Sequence, residues 1–482
     1  MTQSSGSSAQ PSQPAPSWGE LLSGMNLVRS VALSGGVALH AVNLYVTTTI
    51  LPSVVKDIGG IDYYAWNTTI YVVVSIVAAA LSARVLARFG PKVSYAVAGL
   101  VFAIGAVLCA TAGSMPLLLG GRLIQGLGGG LLVALPYALT HIVFPERLWP
   151  RAMAMISGMW GIATLCGPAL GGIFAEMGQW RLAFWSLLPL IAFFAGLAAL
   201  VLPPRDNTEQ PSSALPGRQL LLLALAVLAA SVTSVSEDLR FTSVALLVTL
   251  LLAAALVHAD RRLPQRLLPK GSFQISTPLG TLYAISALLA ATVGCTEIFV
   301  PLFLQRLQGF SPLEAGYVAS LMSVGWTLGS LATSSLHGKP LIAILRASPL
   351  LSAASLAALA ILIPWPQQAG WGIDGLICAA LVMAGLSVGM IFAHLASGVL
   401  LIAPGDEQNL AASSIMTVQL SSIAFGAALA GLTVNLAGLS TGASVLATAN
   451  AARWLFIVFL TAPLLCALLM WRRAALLKRL AG

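Results

Sequence analysis

The sequence predicts an all-α polytopic membrane protein: two six-helix bundles and an inserted helical pair, fourteen transmembrane helices in total. Three observations predict it. Charged residues are scarce, 24 Lys and Arg with 15 Asp and Glu among 482 residues. That is 8% of the chain, against about a quarter in soluble domains, too few to cover a water-facing surface of this size. Apolar residues make up 58% and mean hydropathy is +0.91, gathered into runs close to the roughly 20 residues that span hydrocarbon as a helix. Finally, Lys and Arg sit in the short links between those runs, where topology determinants belong.

The elements follow in order. Residues 1–27 are polar and rich in Ser and Pro, lack a secretory-signal pattern, and read as a flexible cytoplasmic N-terminal tail. Apolar runs at 28–52, 65–86, 93–111, 117–144, 152–175 and 182–202 form an N-terminal six-helix bundle over 28–202. Residues 203–218 are a Pro- and Ser-rich cytoplasmic linker. The inserted pair occupies 219–257, with runs at 219–236 and 241–257, and 258–275 is a second cytoplasmic linker. A C-terminal six-helix bundle over 276–471 has runs at 276–303, 315–336, 341–363, 373–402, 411–438 and 452–471. A basic cytoplasmic tail, 472–482, ends the chain.

With the N-terminus cytoplasmic, 18 of the 24 Lys and Arg fall on the cytoplasmic side. Five, Lys56, Arg181, Arg240, Arg306 and Arg453, fall outside, and Arg122 lies near or within the fourth span. This bias predicts both termini in the cytoplasm and, for a bacterial chain, residence in the inner membrane. The same distribution argues against nucleic acid as the partner of a chain with formal charge +9. The two bundles read as a duplication. Pro145 precedes Gly167 by 22 residues and Gly172 by 27; Pro404 precedes Gly426 and Gly431 by the same intervals. Two parallel repeats around a central cavity suit alternating-access transport.

Ionisable groups at membrane depth mark candidate function, because hydrocarbon tolerates them only beside water, a partner or a substrate. Glu297 lies deep in the ninth span with no charged neighbour at helical spacing, so it is expected to face the cavity and carry a proton. On the first span His40, Asn43 and Thr47 fall at i, i+3 and i+7, one polar stripe. Thr292 and His394, on the ninth and twelfth spans, join them as cavity candidates, as do Gln125 and the deep Trp160 and Trp326. Arg122 needs an acceptor, in a structural network or as an anion. Histidine and tryptophan can also be satisfied within a core or at an interface, and that reading stays open for each. Pairs such as Gly126/Gly130, Gly325/Gly329 and Gly385/Gly389 let helix backbones approach closely.

No metal or cofactor site is legible. Cys109, Cys166, Cys295, Cys378 and Cys466 all lie in apolar runs without ligand spacing. No GxxxxGK[ST] fingerprint is present either.

Residues 28–471 resemble the major facilitator superfamily, within it the fourteen-span drug/proton antiporters. The fifth span runs Gly158-Met-Trp-Gly161-Ile-Ala-Thr-Leu-Cys-Gly167-Pro168-Ala-Leu-Gly171-Gly172 and is followed by Trp180-Arg181. It is similar to the antiporter motif. Arg122-Leu-Ile-Gln125-Gly126-Leu-Gly128 is similar to the fourth-span arginine motif, and Phe303 to Gly316 to the link between spans nine and ten. The link after span two, Ala83-Arg-Val-Leu-Ala87-Arg88-Phe-Gly90-Pro91-Lys92, departs from the family pattern: Ala87 stands where an aspartate is usual. Likewise Asn43 stands near the usual first-span acid. The resemblance implies a gating or structural role for Ala87, Arg88, Gly90, Lys92, Arg122, Gly126, Gly161, Gly167, Pro168, Gly171 and Gly172. The expectation is a non-enzymatic, monomeric secondary transporter surrounded by membrane lipids. It would exchange protons at Glu297 for hydrophobic or cationic amphiphilic small molecules. Uniport or proton symport of a specific solute is the alternative, and a membrane-embedded receptor or enzyme a distant one.

Overall fold

Hydrocarbon offers a backbone amide no water, so an apolar run must satisfy its own N–H and C=O groups as a helix. The computed structural model describes residues 18–145, 148–204, 216–233, 238–333, 336–365, 371–404, 407–440 and 444–480. The helices are α1 (Trp18–Leu21), α2 (Gly24–Ile58), α3 (Tyr64–Ala110), α4 (Met115–Val143), α5 (Trp149–Glu176), α6 (Trp180–Trp185), α7 (Leu187–Val201), α8 (Gly217–Val232) and α9 (Leu239–Arg262). They continue as α10 (Pro278–Leu307), α11 (Pro312–Thr333), α12 (Gly338–Leu362), α13 (Trp371–Ile402), α14 (Gln408–Leu436), α15 (Val445–Arg472) and α16 (Ala474–Leu480). Residues 1–17 and 205–215, together with Arg147 and Arg205 of the charge count, lie outside the described residues.

Local chemistry sets several boundaries. α10 starts with Pro278 in its first turn behind Thr277, whose hydroxyl accepts from the Gly280 amide at 3.0 Å. α11 starts with a reciprocal box: the Ser311 amide donates to Glu314 at 2.8 Å and the Glu314 amide to the Ser311 hydroxyl at 3.3 Å. α3 carries two spans, broken at Gly90, whose φ of 76° favours a residue without a Cβ. The Ser94 hydroxyl donates to the Val85 carbonyl across that break at 3.0 Å.

Among the described residues, twelve helical stretches are long and apolar enough to cross a membrane, not the fourteen expected. The shortfall has two physical causes. α8 is apolar but stops after 16 residues, and the 22 residues of α11 are diluted by Gly, Ser and Thr. The structure also shifts boundaries: α2 begins at Gly24, α1 places a fully buried Leu21 within the segment read as a tail, and α9 continues to Arg262 inside the second linker.

Helix pairing repeats between the halves. α2 packs on α5 as α10 packs on α14, and α2 meets α7 as α10 meets α15. α3 lies along α4 as α11 lies along α13, and α2 touches α4 as α10 touches α13. The glycine interval seen in the sequence serves this repetition. A Cβ at Gly167 would strike Tyr45 on α2, and one at Gly426 would come within 2.9 Å of the Ala291 backbone on α10. α8 rests against α9, α3 and α14, so the inserted pair touches both halves.

Candidate functional site

A small cavity of about 40 Å³ lies between the two halves. Glu297 is its carboxylate, held on α10 and half-buried while its chain neighbours Thr296 and Ile298 are buried. Tyr45, Thr48 and Thr49 reach it from α2, Thr68 from α3, Pro168 from α5, Gly316 and Ser320 from α11, and Ile423 from α14. The Ser323 hydroxyl of α11 donates to Glu297 Oε1 at 3.2 Å and lies 3.4 Å from the Tyr45 hydroxyl. A hydrogen-bonded chain thus runs from the carboxylate to a side chain of the other half.

The other sequence candidates lie elsewhere. His40, Asn43 and Thr47 are buried in the N-terminal half, outside the cavity lining. His40 Nδ1 is 2.8 Å from the Tyr71 hydroxyl, its ring meets Trp160 edge-on, and Thr47 donates to the Asn43 carbonyl at 2.7 Å. Arg122 and Gln125 are fully buried. The guanidinium donates to Gln125 Oε1 at 2.6 Å and to the Asn67 carbonyl at 3.3 Å, and lies 4.0 Å from the Tyr71 ring centroid. In the other half Thr292 donates to the Leu288 carbonyl, Trp326 packs on Phe392, and His394 Nε2 lies 2.9 Å from the Thr333 carbonyl. Of the nine cavity candidates, Glu297 lines this cavity and the other eight do not.

Two polar stripes share α2, and this is why the cavity face was missed. Residues 40, 43 and 47 form one, and Tyr45, Thr48 and Thr49, at i, i+3 and i+4, form the other. The second faces the cavity. Its spacing was legible, but Thr pairs so readily with its own helix backbone that it gave no signal of function. Ser323 carried none either.

The fifth-span motif serves two contacts. Gly167 and Gly171 face α2, where an added Cβ would meet Tyr45 and, at 2.8 Å, the Val46 carbonyl. One position on, Gly172 faces the other half: its Cβ would come within 2.5 Å of Leu313 Cα on α11. Pro168 likewise approaches Gly316. Tyr64 against Phe299, rings 5.2 Å apart, and Asn435, donating to the Asp62 carbonyl at 3.4 Å, join the halves at the same end. Nearby, Trp180 and Arg181 both donate to Asp57, at 3.1 and 2.7 Å. This end, at the 59–63, 177–179 and 308–311 turns, is where the halves seal. Gly161 has open space around it, Gly126 lies against the Tyr71 carbonyl, and Ala87, Arg88 and Lys92 are exposed beside the Gly90 break.

Residues 33–427 match the Major Facilitator Superfamily. A probable multidrug-efflux transporter of Mycobacterium tuberculosis is 40% identical over 431 residues, 87% of this chain and 90% of its own length. The multidrug efflux pump SdrM of Staphylococcus aureus is 24% identical over 371 residues, 76% of this chain and 80% of its own. Among solved structures, the nucleoside transporter NupG aligns with a TM-score of 0.64 at 12% identity, covering 93% of this chain and 99% of its own. A D-xylose–proton symporter aligns with a TM-score of 0.63 at 14% identity, covering 93% and 98%. These last two likenesses speak to fold. With the family match covering most of the chain, the duplicated helix pairing and the cavity between the halves describe an integral membrane transporter, and the chain belongs to the major facilitator superfamily.

Proposed function

We infer that this transporter exports hydrophobic or cationic amphiphilic small molecules across the bacterial inner membrane, driven by proton entry through Glu297. The observation that carries this reading is the position of Glu297, the carboxylate of the cavity between the halves. The relatives named as multidrug-efflux transporters support the direction and the substrate class. Counting α8 and α11 with the twelve stretches gives the fourteen spans of this reading, and the Lys and Arg bias supports both termini in the cytoplasm. The sealed end then faces outward.

The cavity is far smaller than the roughly 300–1,000 Å³ that hold a drug-sized ligand, so substrate binding requires the halves to part further. Ionised Glu297 accepts from Ser323, which in turn neighbours Tyr45 across the interface. Protonation turns one carboxylate oxygen from acceptor to donor and weakens that tie. A proton bound from one side and released to the other therefore biases which way the halves open.

The test is transport of a fluorescent lipophilic cation by protein in liposomes containing a pH-sensitive dye. The wild type should couple dye movement to proton counterflow, and Glu297→Gln should lose at least about ten-fold in gradient-driven rate, roughly 1.4 kcal/mol in the barrier. Undiminished gradient-driven transport in that variant sinks the reading. Asn43 and Ala87, where the resembled antiporters carry acids, favour a second reading, uniport of a specific solute, which would show transport without proton flux.

A further inference from the structure

The polar groups of the cavity are almost all acceptors. Thr48 and Thr49 each give their hydroxyl hydrogen to the Tyr45 carbonyl, at 3.0 and 2.9 Å. Ser320 gives its hydrogen to the Tyr317 carbonyl at 2.8 Å. A hydroxyl whose hydrogen is committed to the backbone has only lone pairs left for a ligand. Thr68 is 2% exposed, lines the same cavity, and its Oγ1 has no hydrogen-bond partner. Glu297 supplies the negative charge, and none of the lining residues is Lys, Arg or His. About 40 Å³ of free space is room for a few waters or for a compact cation.

We propose that this chamber binds a small, dehydrated monovalent cation, with the Glu297 carboxylate as counter-charge and the hydroxyl oxygens of Thr68, Thr48, Thr49 and Ser320 as neutral ligands. Hard cations select oxygen donors of this kind. A sodium-sized alkali ion and the ammonium head of an amine present the same chemistry here. Each is positive, compact and in need only of acceptors. The polar lining comes from α2, α3, α10 and α11, so a bound cation ties the two halves together around the carboxylate. The proposal rests on the reading of Glu297 as the coupling group, and it adds a second occupant that competes with the proton for the same oxygens.

Thermal unfolding of the purified full-length protein tests it, in sodium, methylammonium or tetramethylammonium chloride at constant ionic strength. Sodium or methylammonium should raise the melting temperature saturably above the tetramethylammonium baseline, since tetramethylammonium is too bulky and has no N–H to donate. Sodium alone identifies the alkali ion, and methylammonium alone the amine head. Glu297→Gln should abolish the increment, and Thr68→Val, which keeps the shape, should weaken apparent affinity by roughly ten-fold. If the Gln variant does not fold, the Val variant carries the test. Stabilisation no greater than with tetramethylammonium, or a full increment in Glu297→Gln, overturns the site. Proton-coupled transport by the same preparation in liposomes separates the two ideas: no cation effect with intact proton coupling removes only the cation site, and loss of both removes the coupling reading beneath it.

Discussion

A guanidinium cannot shed its proton in hydrocarbon, so Arg122 has to be held by acceptors. It is held by neutral ones: the Gln125 amide oxygen, the Asn67 carbonyl and the face of Tyr71. Tyr71 works twice, since its hydroxyl also meets His40. Tyr71→Phe should therefore cost about 1–2 kcal/mol by orphaning the imidazole nitrogen. Tyr71→Leu, which also removes the ring beneath the cation, should cost about 2 kcal/mol more; melting temperatures of the two purified variants separate these contributions. At this scale the sequence was informative about which groups are costly and silent about their neighbours. Glu297 was legible as a lone carboxyl at membrane depth. His40 and Asn43 were legible as polar, but whether they face a cavity or a core depends on which of two stripes of α2 meets the other half, and periodicity cannot say that.

Helices approach closely only where side chains are absent, and α11 and α13 show it reciprocally. Gly325 and Gly329 lie against the backbone of α13 at Val382 and Leu386, and Gly385 and Gly389 against that of α11 at Met322 and Trp326. Gly385→Val would drive a branched side chain into the Met322 carbonyl. The expected loss is roughly 1–3 kcal/mol, read as a lower melting temperature in detergent, whereas Gly158→Val, where nothing lies within 4 Å, should leave stability nearly unchanged. The four-residue spacing of these glycines was visible in the chain, and so were nearly all helices, because apolar length alone dictates them. Their partners were not visible: spacing shows that a helix has a smooth face, not which neighbour meets it. The break between the two spans of α3 was legible too, since a Gly-Pro pair ends one helix and starts the next, and Gly90 leaves helical geometry there with φ 76°.

Across the whole molecule, alternating access requires the sealed end to break and re-form, and at Gly172 the halves approach closely, an added Cβ lying within 2.5 Å of Leu313 Cα. Gly172→Leu should wedge that contact open. Overpacking of about 2 kcal/mol shifts a two-state equilibrium about thirty-fold, so distances between spin labels at Met177 and Glu314 should move to a longer population. Unchanged distances would mean that the seal does not depend on this residue. α5 serves its own half through Gly167 and Gly171 and the opposite half through Pro168 and Gly172, each set one residue, about 100°, from the other. The segment is consequently ruled by phase more than by composition. A single residue inserted between Gly161 and Gly167 would turn the downstream half of the helix by that angle and hand each surface to the wrong neighbour. Length, which many other stretches of the chain could change freely, is here as fixed as the position of a tooth on a gear.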